Sequence, residues 1–196
     1  MKKNLWISIL MTVATTVLFG LVYPLMVTGL AQLIFRHKAN GQLIVKNGMV
    51  VGSSIIGQRF SGPEYFHSRP SAAGNGYDAA NSGGSNLGPT NQKLIERVKD
   101  DVTAAKFENA GAPVPIDMVT TSASGFDPHI TPANAEFQLP RVAKARGISI
   151  EQLRTMVAKH TEGREFGILG EPRVNILELN LHLDQQFPSA TQATVD

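Results

Sequence analysis

The sequence predicts an α+β fold: one N-terminal transmembrane helix, then one compact mixed soluble domain with a β-hairpin, a long Gly/Ser/Asn-rich loop and several helices. Three observations predict it: an uncharged apolar run opens the 196-residue chain, an Asn-Gly pair separates two apolar runs, and apolar residues recur at helical spacing after a long irregular stretch. The predicted segments are a cytoplasmic N-terminus at 1–4, the transmembrane helix at 5–35, the soluble domain at 36–187 and a flexible tail at 188–196.

The run from Leu5 to Phe35 carries no charged side chain. About 20 apolar residues cross a hydrocarbon core of roughly 30 Å, so this run is long enough to span a membrane with tilt. A cleaved signal peptide is the alternative, but its apolar region is only about 7 to 15 residues long. Pro24 frees a carbonyl near Gly20, which leaves open a kinked helix facing lipid or a helix that docks against other membrane helices.

The charges on either side of this run barely favour one orientation. Lys2 and Lys3 precede it, and Arg36 and Lys38 follow it. A very short N-terminus is easily retained in the cytoplasm, whereas a long C-terminal domain is translocated largely regardless of its charge. We therefore expect a single-pass protein with its N-terminus inside and its soluble domain in the periplasm or its equivalent.

A β-hairpin is predicted to begin the soluble domain, because Asn47-Gly48 lies between the apolar runs 42–45 and 49–56. Residues 57–91 are rich in Gly, Ser, Asn and Pro and have almost no apolar periodicity. Loops longer than about 12 to 15 residues are commonly functional or disordered. This loop contains Tyr65, Phe66 and Tyr77, so we predict that it is ordered and functional.

Helices dominate the rest of the predicted domain. Apolar residues from Leu94 to Ala105 recur on one helix face after a start at Thr90, and residues 116–121 favour a short strand. Thr131-Pro132 begins a helix that stops at Gly147, with a kink or a division into two shorter helices at Pro140.

Two further helices are predicted near the C-terminus. Ser149 and Gln152 form a capping box, which begins a helix that runs toward His160. The leucines of residues 174–184 fit both a strand and a helix, and we predict a helix there.

Charge and motifs exclude several functions. The chain has 18 Lys and Arg against 16 Asp and Glu, and Lys2 and Lys3 account for its +2 charge, so the remainder offers no surplus for a nucleic acid. There is no cysteine, and the common hydrolase, metalloprotease and P-loop motifs are absent. The five histidines lie far apart in the sequence, and we expect no metal ligand set and no catalytic residue.

Three polar clusters have both a functional and a structural interpretation. Ser82, Gly83, Gly84, Ser85 and Asn86 form a loop of the kind that can cradle a phosphate, although such a sequence is more often only a turn.

The second cluster joins Tyr65, Phe66 and Arg69, residue types enriched in protein interfaces. Alternatively, the aromatic rings pack under the loop and Arg69 binds the loop's own carbonyl groups; both interpretations could hold together. The third is Asp127-Pro128-His129, in which a carboxylate could orient an imidazole, but we prefer a turn that leads into the Thr131 cap.

Five strings occur in order behind the apolar run. They are YFHSRPSA at 65–72, NSGGSNLGPTN at 81–91, SASGFDPHITPANA at 122–135, RVAKARG at 141–147 and GEPRVNILELN at 170–180. Together they closely resemble the C subunit of the Kdp potassium-transporting ATPase, a bacterial high-affinity potassium uptake pump (the KdpC family). The resemblance extends from the Gly20–Pro24 region to about Asp184; Phe126, where leucine is expected, and Pro140 depart from the family pattern.

The resemblance implies a non-catalytic subunit of a heteromeric pump in the bacterial inner membrane. Its partners would be a potassium-conducting A subunit, an ATP-hydrolysing B subunit and a small F subunit. The family's C subunit is needed for assembly and is described as a catalytic chaperone that raises the ATP affinity of the B subunit. The resemblance implies that no cofactor is bound firmly. ATP would be met through the partner B subunit in a transient ternary complex, with residues 82–86 as a candidate nucleotide contact.

An outside soluble domain cannot meet cytoplasmic ATP, so the expected orientation conflicts with a direct nucleotide contact. We expect instead a stabilising role at the outer mouth of the potassium-conducting subunit. The residues assigned to subunit interfaces are Gly20, Pro24, Tyr65, Phe66, Arg69, Ser124, Asp127 and His129. The competing hypothesis is a membrane-anchored periplasmic enzyme or binding module that acts alone.

Overall fold

The computed structural model describes residues 1–188 and divides into two compact units, Met1–Val51 and the part from Gly52 onward. The architecture is the predicted α+β mixture. The domain bounds derived from the sequence stay a prediction, and all of the proposed tail except Pro188 lies outside the described residues.

The first unit begins with α1 (Lys2–Val17), a π-helical turn (Leu18–Val22) and α2 (Tyr23–Ile34), which together form one exposed 33-residue helical run. At 1.5 Å per residue the run is about 50 Å long, long enough to cross a membrane, and it is apolar enough to do so. The π turn lies just before Pro24, and there the Tyr23 N–H donates to the Leu18 carbonyl five residues earlier. Because proline has no N–H, the regular pattern cannot continue through this turn.

The predicted hairpin is confirmed. After the short helix α3 (Arg36–Ala39), β1 (Leu43–Lys46) pairs with β2 (Met49–Ser53). Asn47 has φ 52° and Gly48 has φ 78°, as a two-residue turn with both central residues left-handed requires. Residues 57–91 contain no helix or strand, as predicted.

Helix α4 (Gln92–Glu108) begins two residues after the predicted start, because Asn91 is its cap and accepts a hydrogen bond from the Lys93 N–H at 2.9 Å. The strand predicted at residues 116–121 is wrong, since Ile116–Met118 form a 3₁₀ turn. The buried Asp117 carboxylate explains the turn, because it accepts hydrogen bonds from the Thr131 N–H at 2.7 Å and the Thr131 hydroxyl at 3.1 Å.

Helix α5 (Pro132–Arg146) is one helix of 15 residues that contains Pro140. Of the two expected outcomes at Pro140, a kink or a division into two shorter helices, the division is wrong. Because Pro140 has no N–H, the Glu136 carbonyl loses its helical hydrogen-bond donor. Both residues are exposed, so water can donate to that carbonyl instead. Helix α6 (Ile150–Lys159) has the predicted capping box.

Three very short strands, which the sequence did not predict, join the helices. They are β3 (His129–Ile130), β4 (Thr161–Glu162) and β5 (Arg173–Asn175), in the antiparallel order β3-β5-β4. The predicted C-terminal helix is confirmed as α7 (Ile176–Gln186), which begins directly after β5. The core lies among α5, α6, α7, β3 and β5, and its buried members are Phe66, Ile130, Ala135, Leu139, Val142, Ala143, Leu153, Met156, Val157, Val174, Ile176, Leu179 and Leu183.

Candidate functional site

The structure brings together three of the five strings that carry the family resemblance. We call their meeting place the loop junction, defined by residues 65–73, 81–86 and 122–129. The Arg69 guanidinium donates to the Asp127 carboxylate at 2.8 Å across 58 residues of sequence. The Gly83 N–H and the Ser82 hydroxyl both donate to the Ser124 carbonyl at 3.0 Å.

Gly125 allows these loops to approach each other. Its φ of 75° lies in the left-handed region, and a Cβ there would lie 2.7 Å from the Ala73 Cβ and 2.9 Å from the Gly83 carbonyl oxygen. Both distances are shorter than ordinary van der Waals contact, so only glycine fits without displacing a neighbouring loop. The loop junction is therefore closely packed.

Arg69 holds one side of the loop junction together. Its guanidinium also donates to the carbonyls of Thr120 and Thr121, each at 3.4 Å, while the Tyr77 hydroxyl donates to the Arg69 carbonyl at 2.7 Å. Burial raises the pKa of Tyr77 and keeps this hydroxyl a donor. Arg69 therefore binds backbone carbonyl groups, but those of Thr120 and Thr121 rather than those of the long loop, where the structural alternative expected them.

Asp127 and His129 lie beside Arg69. The Asp127 carboxylate accepts from the His129 N–H at 2.9 Å, and its oxygen lies 3.6 Å from Nδ1 of the same histidine. Burial alone would raise the pKa of Asp127, but hydrogen bonds from His129 and Arg69 outweigh burial and lower it. The carboxylate is therefore held ionised, and its acceptance of the His129 N–H is the local turn that we preferred.

The aromatic residues at the start of the loop pack inward. Phe66 is fully buried, and the Asn180 side chain binds its backbone, accepting from the Phe66 N–H at 2.9 Å and donating to the Phe66 carbonyl at 2.8 Å. Tyr65 packs against Phe60, with ring centroids 5.4 Å apart, and lies under the Arg146 guanidinium at 4.9 Å. Phe66 therefore belongs to the core of this chain rather than to an exposed contact surface.

A groove of about 610 Å³ opens beside Arg69, between the long loop, α4 and the start of α5. Its lining includes Arg59, His67, Asp101 and Glu108. Burial, together with the positive charge of Arg141, lowers the pKa of His67. The two acids pair within the chain, Asp101 with Arg97 at 2.6 Å and Glu108 with Arg141 at 2.9 Å, and burial raises the pKa of Asp101 despite its partner.

Two features were not predicted from the sequence. His160 and His182 come together, with Nε2 and Nδ1 2.5 Å apart, and burial followed by the His182 charge lowers the pKa of His160. Phe166 stands almost completely exposed on a turn.

Within residues 1–188 no group of three or more His, Cys, Asp or Glu side chains is placed to hold a metal ion. Gly20 and Pro24 lie in the exposed first unit.

Together these features define the class of protein: a helix long and apolar enough to cross a membrane, followed by a small α+β unit in which three loops pack closely around the Arg69–Asp127 ion pair. Residues 5–185 match the family model described as KdpC: K+-transporting ATPase, c chain. The chain belongs to this family.

The sequence of this chain aligns with curated relatives over almost their whole lengths. The chain is 70% identical to the potassium-transporting ATPase KdpC subunit of Koribacter versatilis, covering 97% of this chain and 99% of that protein. It is 58% identical to the corresponding subunit of Acidobacterium capsulatum, over 93% of this chain and 98% of that protein. It is 53% identical to the corresponding subunit of Rhodospirillum rubrum, over 97% of this chain and 100% of that protein.

Proposed function

We propose that this chain is an accessory subunit of a potassium-transporting P-type ATPase and is needed for assembly and stability of the complex. Family membership over residues 5–185 is the observation that carries the proposal. The proposed partners are the potassium-conducting A subunit, the ATP-hydrolysing B subunit and the small F subunit.

We propose further that the 33-residue helical run anchors the chain in the bacterial inner membrane and that the second unit lies in the periplasm. A catalytic-chaperone role would then act through the B subunit, by coupling across the membrane, rather than by a nucleotide bound to this chain. The loop geometry supports this, because the Ser82 hydroxyl and the Gly83 N–H are both committed to the Ser124 carbonyl. Two hydrogen-bond donors of the proposed phosphate cradle are thus already used within the chain.

The test of the proposed function is copurification. An affinity tag on the B subunit is expected to retain the A subunit and this chain in near-equal amounts. Deleting the gene for this chain is expected to abolish growth at limiting potassium, and a plasmid copy should restore it. A tagless strain and a strain grown in excess potassium are the controls.

The alternative is a membrane-anchored binding module or enzyme that acts alone, and the groove of about 610 Å³ is the observation in its favour. Purification of this chain as a monomer, with normal growth of the deletion strain at limiting potassium, would favour that alternative and contradict the subunit assignment.

The orientation is tested separately, and the absence of cysteine makes the chain suitable for thiol labelling. Ala158 is exposed on α6 and Asn4 lies at the start of α1. A membrane-impermeant maleimide is expected to label Ala158→Cys in intact cells and Asn4→Cys only after the inner membrane is opened. The reverse pattern would place the second unit in the cytoplasm.

A further inference from the structure

The turn between β4 and β5 exposes three large apolar side chains. We call residues 164–170 the apolar finger. Phe166 is 90% exposed, Ile168 75% and Leu169 57%. Single exposed apolar residues are common on soluble proteins, but three on one turn form a patch of the kind that marks an interaction site.

The apolar finger is held in shape by hydrogen bonds and ion pairs. Glu165 and Leu169 exchange backbone hydrogen bonds, each 2.9 Å long, and the Gly167 N–H donates to the Arg164 carbonyl at 3.0 Å. At its base Arg164 pairs with Glu171 at 2.9 Å, and Arg173 pairs with Glu162 at 2.8 Å. A turn fixed in this way loses little conformational entropy when it binds.

Phe166 has an unfavourable backbone conformation for its residue type. Its φ is 53°, in the left-handed region that glycine and asparagine adopt far more readily than a bulky aromatic residue. Such strain costs on the order of 1 kcal/mol, and a 90% exposed side chain regains almost none of it through packing within the chain. Contact of the ring with a partner outside the chain would offset this cost.

We propose that the apolar finger inserts Phe166 into an apolar pocket on another protein subunit of the potassium-transporting complex. The inference rests on the proposed subunit function and names a surface for it. Charge favours a protein over a lipid surface, because residues 162–173 contain three glutamates, two arginines and no lysine. An anionic bilayer attracts clusters of Lys and Arg, which this segment with one net negative charge lacks, whereas a pocket with a cationic rim would complement it.

The first test compares two phenylalanines. Phe166→Asn suits the left-handed backbone, so unfolding of the full-length chain in detergent is expected to be unchanged or shifted to higher denaturant. Retention of this variant by the tagged B subunit is expected to fall at least tenfold. Phe107→Gln on α4 is the matched control, since Phe107 is 88% exposed, and it should copurify like the wild type.

The second test identifies the occupant of the surface. The photoreactive residue p-benzoylphenylalanine in place of Phe166 is expected to crosslink this chain to another subunit of the assembled complex in membranes. Crosslinks to lipid alone, or to a second copy of this chain, would overturn the proposal. So would wild-type retention of Phe166→Asn. A wild-type chain that fails to copurify would overturn the subunit function itself, and the role of the finger with it.

Discussion

Asp184→Ala is expected to lower the free energy of unfolding of the full-length chain by about 3 to 5 kcal/mol. The Asp184 carboxylate accepts from the Arg146 guanidinium at 2.7 Å, and the side chains of the two residues are 9% and 0% exposed. It also accepts from the Tyr65 hydroxyl at 3.2 Å. Removing the carboxylate leaves a positive charge buried without its counter-ion.

The remaining Arg146 contacts cannot neutralise that charge. The guanidinium also donates to the carbonyls of Phe187 at 2.6 Å and Glu64 at 2.9 Å. Carbonyl groups satisfy N–H donors but supply no negative charge. Because Arg146 also covers the ring of Tyr65, the first residue of the loop junction, we expect the loss to loosen that side of the junction.

Denaturant unfolding followed by far-UV circular dichroism measures this effect. Glu171→Ala is the matched control, because it removes an exposed ion pair with Arg164 and should cost less than about 1 kcal/mol. The double variant Arg146→Met with Asp184→Leu is expected to regain most of the lost stability. An equally small loss for Asp184→Ala and Glu171→Ala would show that burial does not make the Arg146–Asp184 pair important.

Locally determined elements could be predicted from the sequence. The Asn47-Gly48 turn, the Thr131 cap and the Ser149–Gln152 capping box each depend on residues within three positions of one another, and each is present. The strand predicted at residues 116–121 failed because Asp117 binds Thr131, a partner outside the segment. The strands β3, β4 and β5 are only two or three residues long, too short for an alternating pattern.

At the loop junction, too, contacts between residues distant in the sequence could not be predicted. Its strings could be recognised in the sequence, but the pairing of Arg69 with Asp127 and of Gly83 with Ser124 depends on the folded chain. The burial of Phe66 depends equally on Asn180, which lies 114 residues further along. A string marks a residue as important and does not distinguish an exposed contact from a residue that supports one.

Gly125→Ala is expected to destabilise the full-length chain by about 2 to 4 kcal/mol and to disrupt the loop junction. About 1 kcal/mol is the conformational cost of alanine at a φ of 75°. A further 1 to 3 kcal/mol comes from overpacking, because the new methyl group would lie 2.7 Å from the Ala73 Cβ and 2.9 Å from the Gly83 carbonyl oxygen. The Gly83 oxygen and Ala73 are fixed close to the backbone, so no flexible side chain can move aside.

Gly147→Ala separates the two contributions. Gly147 ends α5 with a φ of 66°, but nothing lies within 4 Å of a Cβ built there, so its replacement should cost only the conformational part. Denaturant unfolding of both variants gives the difference, and retention by the tagged B subunit shows whether the loop junction supports assembly. We expect retention to fall for Gly125→Ala and to stay near wild type for Gly147→Ala. Equal losses of stability at the two glycines would contradict close packing at the loop junction, because only Gly125 faces other loops.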